Sequence, residues 1–246
     1  MRSPGSCKRD RMLNVTAGFP FIHKSTGQNI NMELNLEIFD GLNPFKENAY
    51  LVHDYQKAHL FDPGFSNDSE WELLLQNLDT NQLEVEAIVL THAHVDHIMG
   101  LQKAMQLFSV PVYMHKDSFI FIEQYPQQAT MFGFRAEPIK VDPHFIDASW
   151  TLQIGSFQYD ARNTPGHSPG HLSFYHKPGG WVIVGDALFA GSIGRTDLYG
   201  GDFEQLEENI RKKLYTLPDE TVVWPGHGPH TTIGFEKENN AFVKQR

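Results

Sequence analysis

Residues 91–100 read THAHVDHIMG, and four of these side chains are of types that bind metal ions in proteins. The residues before them, 85–90, are mostly apolar and rich in β-branched side chains, which predicts a buried strand. After them, apolar side chains recur at helical spacing up to about Phe108, so we expect a helix that begins at His97. The motif therefore lies at a strand-to-helix junction, where layered α/β folds usually carry their functional sites.

The spacing within the motif predicts two neighbouring metal positions. His92 and His94 are two residues apart, so in an extended segment their side chains point the same way and can bind one ion. Asp96 shares this direction further along the turn, and together with His97 it can bind a second ion. Imidazole nitrogens and carboxylate oxygens suit zinc, and also iron or manganese. The alternative, a polar loop with ordinary hydrogen bonds, is the better interpretation only for a single histidine.

Three more candidate ligands follow predicted strands. His167 lies in the tight loop TPGHSPGH (164–171), and His227 lies in PGHGPH (225–230). Asp186 ends the apolar run 181–186, where a carboxylate is costly to bury unless it is paired or binds a metal. Its two oxygens can bridge two ions, and a binuclear hydrolytic site needs about six to seven ligands. The candidate ligands are His92, His94, Asp96, His97, His167, Asp186 and His227.

Composition limits the classes of partner and compartment. The chain has 246 residues, 40% of them hydrophobic, which is enough for one large domain with a substantial core. Because the net charge is −10, we expect no nucleic-acid partner and no binding to membranes. The single cysteine, Cys7, excludes an intramolecular disulfide and fits a reducing compartment. With neither a secretory signal nor a long apolar run recognised, we predict a cytoplasmic protein; its oligomeric state stays open.

Residues 1–31 differ from the rest of the chain. They are rich in Ser, Gly, Asn, Lys and Arg and lack periodicity, which predicts a disordered leader or sequence upstream of a start at Met32; a mitochondrial presequence is the weaker alternative. In 32–246, groups of strands alternate with amphipathic helices, which predicts an α/β domain of two packed sheets flanked by helices. Residues 126–143 contain three prolines and are predicted to be mostly loop, as a lid over the site.

The chain resembles the metallo-β-lactamase superfamily, and within it the glyoxalase II (hydroxyacylglutathione hydrolase) branch of short bacterial type. The resemblance runs from about residue 34 to 243 and rests on THAHVDH (91–97), TPGHSPGH (164–171), GDALFAGSIGRTD (185–197) and PGHGPHT (225–231). It implies a four-layer αββα sandwich, the metallo-β-lactamase fold, and makes 32–246 a metallo-hydrolase domain. It also implies that His92, His94, His167 and Asp186 hold one metal and that Asp96, His97, His227 and Asp186 hold the other.

The activity implied by the resemblance is binuclear hydrolysis of a thioester or related acyl bond. The expected cofactors are two zinc ions, with iron or manganese as options, and the expected substrate is a small acyl or thioester molecule, with a glutathione-derived one as an option. Asp96 is the expected catalytic residue, which holds the attacking water and takes its proton. The chain departs from the long glyoxalase II pattern, which has a helical C-terminal domain after the last ligand and a tyrosine shortly after the basic residue that Arg195 matches.

Several alternatives stay open at this point. A mononuclear iron persulfide dioxygenase of the same fold would use His92, His167 and Asp186, and a lactonase or β-lactamase would use the same site. A non-enzymatic metal-binding or RNA-associated module is a further option. The planar guanidinium of Arg195 suits a substrate carboxylate, although an ion pair with Asp197 or Asp202 explains it equally well.

Overall fold

The computed structural model describes residues 34–146 and 151–244. The predicted leader, 1–31, lies outside the described residues, so its role stays a prediction. Among the described residues, no helix combines the length and the apolar character needed to cross a membrane.

The first sheet has six strands in the order β1-β2-β3-β4-β5-β6. Their bounds are β1 Asn35–Leu42, β2 Glu47–His53, β3 Lys57–Phe61, β4 Glu84–Val89, β5 Val112–His115 and β6 His144–Ile146. β1 to β3 pair antiparallel, and β3 to β6 pair parallel. β2 is buried along its whole length, as expected for a strand that is covered on both faces.

The second sheet also has six strands, in the order β14-β13-β10-β9-β8-β7, and a short hairpin, β11-β12, lies apart from it. The bounds are β7 Thr151–Ile154, β8 Phe157–Asn163, β9 Leu172–His176, β10 Trp181–Gly185, β11 Leu188–Phe189, β12 Ser192–Ile193, β13 Val222–Pro225 and β14 Thr231–Thr232. β10 pairs parallel with β13 and antiparallel with β9, which in turn pairs antiparallel with β8. β8, β10 and β13 therefore run in the same direction.

Helices cover the outer face of each sheet. Their bounds are α1 Asp68–Asn81, α2 Leu101–Phe108, α3 Phe119–Glu123, α4 Tyr125–Met131, α5 Phe203–Asn209 and α6 Ile233–Asn239. Side chains of α1 to α4 form one apolar cluster with the first sheet, and those of α5 and α6 form another with the second sheet. A third cluster joins the two sheets, where the rings of Phe61 and Phe174 lie 5.4 Å apart. The order of layers is helix, sheet, sheet, helix, and the αββα prediction is confirmed.

The predicted helix after the THAHVDH motif begins later than expected. α2 starts at Leu101, while the residues before it form turns in which His97 N donates to His94 O at 3.1 Å and Gly100 N donates to Pro63 O at 2.8 Å. The reason is that the bond to Pro63 ties this segment to the loop after β3 before a regular helix can form.

The prediction that 126–143 are mostly loop is confirmed for 132–143, but the first part of this segment belongs to α4, which ends at Met131. Pro126 lies in the first turn of α4, where a missing backbone N–H costs no helical hydrogen bond. Gln128 Nε2 donates to Phe121 O at 2.7 Å and to Ala93 O at 3.2 Å, so α4 packs directly on the THAHVDH motif.

Candidate metal centre

The candidate ligands follow four strands whose ends meet between the two sheets. His167, Asp186 and His227 come after β8, β10 and β13, which share one direction and therefore end at the same edge of the second sheet. The THAHVDH motif follows β4 of the first sheet. Leu172 N donates to Thr91 O at 2.8 Å, so this motif lies directly against the second sheet.

Three histidines from the two sheets form what we call the first group: His92, His94 and His167. Their ligand nitrogens all lie within 4.8 Å of one another, and His94 Nδ1 is 2.8 Å from His167 Nε2. The rings of His94 and His167 stand nearly perpendicular to that of His92, at centroid distances of 4.8 and 5.0 Å. All three are buried. The arrangement directs several nitrogen atoms at one point.

The second group consists of Asp96, His97 and His227, whose ligand atoms also lie within 4.8 Å of one another. His227 Nε2 is 3.1 Å from Asp96 Oδ2, and His97 Nε2 is 3.8 Å from the same oxygen. Asp186 lies between the groups. Its Oδ2 is 3.5 Å from His167 Nε2 and 3.5 Å from His227 Nε2, and its Oδ1 is 3.4 Å from His97 Nε2.

Four of the five candidate histidines use their Nδ1 atom in a contact with another protein group. The contacts are His92 Nδ1 with Thr91 Oγ1 at 3.0 Å, His97 Nδ1 with Asp62 Oδ2 at 3.2 Å, His167 Nδ1 with Arg195 O at 2.8 Å and His227 Nδ1 with Lys46 O at 3.2 Å. Carbonyl and carboxylate oxygens only accept, and the Thr91 hydroxyl already donates to Asp62, so each Nδ1 carries a proton. Each Nε2 is therefore the nitrogen left for a metal, which is how proteins orient such ligands.

Unsatisfied atoms in the cavity provide a test of whether a metal fits. Within the described residues, His92 Nε2, His97 Nε2 and Asp186 Oδ1 are buried and have no hydrogen-bond partner. Buried polar atoms without partners are rare, and these are a set of nitrogen and oxygen donors that suits divalent cations. The donor atoms of these residues therefore suit divalent metal ions. His94 differs from the others in that its Nδ1, not its Nε2, faces the first group, 2.8 Å from His167 Nε2, while its Nε2 is buried without a partner.

The two groups of side chains differ in charge. Burial lowers the pKa of His92 and of His167, and it lowers the pKa of His94 to about 3, so the first group is neutral. Burial also opposes the cationic form of His227, but hydrogen bonds to Asp186 and Asp96 outweigh it and raise its pKa to about 10. The same two carboxylates raise the pKa of His97. The second group therefore holds protons that an incoming cation would displace.

Two buried residues outside the candidate set position its members. Asp62 accepts from Thr91 N at 2.7 Å, from Thr91 Oγ1 at 2.6 Å and from His97 Nδ1. Although Asp62 lies close to His92 and His97, these bonds occupy it on the side away from the cavity. His171 Nε2 accepts from Asp186 N at 3.0 Å, so it positions the backbone from which the Asp186 carboxylate projects.

A glycine makes room for the central carboxylate. A Cβ at Gly226 would lie 2.1 Å from Asp186 Oδ1 and 2.7 Å from a carbon of the His97 ring. Gly226, the first glycine of the PGHGPH motif, therefore lets the backbone approach Asp186 closely. Any side chain at this position would push Asp186 out of the cavity.

Arg195 lies beside the centre with its guanidinium turned to solvent. Its Nε and Nη2 donate to the two carboxylate oxygens of Asp197, each at 2.7 Å, which is the ion-pair alternative considered from the sequence. Its backbone carbonyl holds His167. The role of Arg195 in substrate binding stays a prediction.

Aromatic side chains surround the histidines. The Phe121 ring contacts His94 at a centroid distance of 5.0 Å, and the exposed ring of Tyr199 contacts Phe121 at 6.1 Å. Phe189, in the hairpin, contacts His227 at 6.0 Å. The surroundings of both groups are therefore partly apolar, which suits a substrate with a carbon skeleton.

Sequence reasoning missed the start of β2. Asn48 Nδ2 donates to Pro225 O at 3.1 Å and Tyr50 Oη donates to the same carbonyl at 2.5 Å, so β2 holds the turn that carries His227. Glu47 is fully buried, with Oε1 3.9 Å from His97 Nδ1. The available signal was a Glu-Asn pair directly before the apolar residues 49–52.

Comparison with known proteins agrees with this geometry. The metallo-beta-lactamase superfamily matches residues 42–227. The chain is 38% identical to the probable metallo-hydrolase YqgX of Bacillus subtilis, covering 81% of this chain and 93% of that protein. It is 36% identical to the hydroxyacylglutathione hydrolase GloC of Haemophilus influenzae, covering 87% of this chain and all of that protein (100%).

Two solved structures are similar at comparable identity. The BLEG-1 B3 metallo-beta-lactamase has a TM-score of 0.76 and 39% identity, covering 85% of this chain and 99% of that one. TTHA1623 in a di-iron-bound form has a TM-score of 0.75 and 36% identity, covering 84% and 100%. The chain belongs to the metallo-beta-lactamase superfamily. It is a hydrolase of this superfamily that is similar to a hydroxyacylglutathione hydrolase, and its histidine and aspartate groups are suited to binding metal ions.

Proposed function

We propose that this protein is a binuclear metal-dependent hydrolase that cleaves a thioester or a related acyl bond. The position of Asp186 carries the proposal. Its Oδ2 lies 3.5 Å from both His167 Nε2 and His227 Nε2, and these atoms belong to different groups. A carboxylate shared in this way suits two cations that are close enough to act on one water molecule.

The proposed ligands are the first group with Asp186 for one ion and the second group with Asp186 for the other. Two divalent cations bound there would lower the pKa of a water molecule and polarise the carbonyl of the substrate. Zinc is the metal that we propose, and the di-iron-bound form of the similar structure makes iron the main alternative. Both metals accept imidazole and carboxylate ligands.

Asp96 is the proposed catalytic residue. Its Oδ2 is 3.1 Å from His227 Nε2, and only 8% of the residue is exposed, so the carboxylate is held in place inside the centre. From there it can orient the attacking water and accept its proton. Phe121 and Phe189 contact one histidine of each group and would exclude bulk water from the acyl carbon.

The substrate class rests on the relatives. The similar protein from Haemophilus influenzae is named a hydroxyacylglutathione hydrolase, which supports a small thioester, with a glutathione-derived one as the first to test. Hydrolysis of such a bond releases a carboxylic acid and a thiol. A cytoplasmic location stays a prediction.

Turnover of S-lactoylglutathione by protein reconstituted with zinc, or with iron, tests the proposal. We expect His94→Ala to lose at least a hundredfold in kcat/KM, because it removes a ligand of the first group. His230→Ala is the matched control, since His230 is exposed and its ring contacts that of Trp224 at a centroid distance of 4.9 Å, outside both groups. Equal rates in the wild type and His94→Ala would refute the proposal, and one iron per chain with oxygen uptake on glutathione persulfide would favour the dioxygenase.

Hydrolysis of β-lactams is the second candidate, and the 39% identity to a structure titled a B3 metallo-beta-lactamase favours it. A nitrocefin assay under the same conditions separates the two. If the protein turns over nitrocefin efficiently but not S-lactoylglutathione, the proposed substrate class changes from a thioester to a β-lactam.

A further inference from the structure

Glu47 is a buried carboxyl group that none of the candidate ligand sets uses. It begins β2, its side chain is fully enclosed, and within the described residues neither of its oxygens has a hydrogen-bond partner. The nearest basic atom is His97 Nδ1, which is 3.9 Å from Glu47 Oε1. Burying a carboxyl group without hydrogen bonds is costly, so its presence beside a candidate ligand needs an explanation.

The fold leaves space for this carboxyl group. A Cβ at Gly64 would lie 2.1 Å from Glu47 Oε2 and 2.5 Å from Asp96 O. The glycine in the loop after β3 therefore allows Glu47 to lie against the backbone of the metal-binding motif. Any other residue at this position would displace either the carboxyl group or the motif.

Carboxyl groups are distributed unequally between the two groups. Glu47 and Asp62 both face the Nδ1 edge of His97, the latter at 3.2 Å, while Asp96 and Asp186 face its Nε2 edge. In the first group, Asp186 Oδ2 lies 3.5 Å from His167 Nε2, and Asp62 lies close to His92. The backbone of Glu47 also forms an antiparallel bridge with His227, so one residue contacts both histidines of the second group.

We propose that Glu47 is a positioning residue for the second metal ion. Its side chain packs behind His97 and its backbone holds His227, so it strengthens binding of the ion in the second group and leaves the ion in the first group unaffected. Mutation of a residue that supports a ligand histidine typically changes metal affinity by about 10- to 100-fold. The proposal rests on the ligand sets given under the proposed function, but not on the identity of the substrate.

Zinc titration of metal-free Glu47→Gln against a chromophoric chelator tests the proposal directly. We expect the affinity for the second zinc to fall by about 10- to 100-fold, with the first changing less than twofold. Glu86→Gln is the matched control. Glu86 Oε1 lies 3.2 Å from Nε2 of the buried His59, so the same substitution is made beside a histidine outside both groups. We expect that control to bind both ions as the wild type does.

The melting temperature of the same variants in chelator separates positioning from a purely structural role. Glutamine keeps the size of Glu47 and removes an unsatisfied carboxyl group, so metal-free Glu47→Gln should melt no lower than the wild type. Should that variant fail to fold, Glu47→Asp withdraws the carboxyl group from His97 by one methylene and should weaken only the second zinc.

Unchanged affinity for the second zinc in the folded variant would overturn the proposal, and so would an equal weakening of both ions. Wild-type protein that binds a single zinc would also overturn it. If the wild type binds two zinc ions but cleaves no thioester, the proposed function fails while the role of Glu47 is retained. The metal titration and the turnover assay can therefore refute the two proposals independently of each other.

Discussion

Glu236 joins the last helix to the hairpin that follows Asp186, and its replacement should cost much of the stability of the fold. The carboxylate is fully buried. It accepts from Gly191 N at 3.1 and 3.0 Å, from Thr231 Oγ1 at 2.7 Å and from Asn240 Nδ2 at 2.8 Å. Gly191 lies between β11 and β12. In Glu236→Ala these three donors would lose their common acceptor.

The size of the effect follows from the number of donors. A buried donor left without a partner costs roughly 1–3 kcal/mol, so three of them at about 1.5 kcal/mol each amount to a loss of about 4.5 kcal/mol. This is a large part of the roughly 5–15 kcal/mol that stabilises an ordinary domain. The hairpin leads to Arg195, whose carbonyl oxygen holds His167 Nδ1 at 2.8 Å. The variant should therefore also release metal to a chelator faster.

Urea unfolding of metal-free protein at neutral pH measures the free energy of unfolding. Glu238→Ala is the matched control, because Glu238 is exposed on the same helix and should change stability by less than about 0.5 kcal/mol. Glu236→Gln keeps one acceptor oxygen and should fall between the two. If Glu236→Ala unfolds within about 1 kcal/mol of the wild type, the reasoning from unsatisfied donors is refuted.

Three further predictions concern pH and packing. Because the pKa of His227 is raised to about 10, the second metal ion must displace protons below that pH, and its affinity should rise by up to about tenfold per pH unit between pH 6 and 9. The ion of the neutral first group should show little pH dependence, and identical slopes for both ions in a chelator titration would contradict this. Burial lowers the pKa of His59 to about 3, below its unfolded value, so the unfolded state binds the extra proton between pH 6.5 and 3. Stability should therefore fall in this window on acidification, by up to about 1.4 kcal/mol per unit, and urea unfolding of His59→Gln should show a shallower slope. Gly226→Ala should lose bound zinc in elemental analysis, because the added Cβ would lie 2.1 Å from Asp186 Oδ1, and full metal content would rule out that clash.

Local pattern was sufficient for most of the architecture. The apolar run 85–90 corresponds to β4, Glu84–Val89, because a strand covered on both faces needs apolar side chains at nearly every position. Local pattern gave a wrong prediction where one residue type occurs in two kinds of structure. Pro126 indicated a loop, but it lies in the first turn of α4, since proline also begins helices. Helical spacing after His97 also could not reveal the bond from Gly100 N to Pro63 O that delays α2.

The sequence by itself determined the candidate ligands, because each lies in a short motif directly after an apolar strand and has a side chain that binds metals. Only the tertiary structure decided how these ligands are supported. Asp62 meets His97 across 35 residues of chain, and Glu47 meets the same ring from the start of another strand. No local pattern distinguishes these acids from ordinary turn or strand residues. Their significance comes from burial and from the edge of the imidazole that they face, and both depend on how the strands pack together.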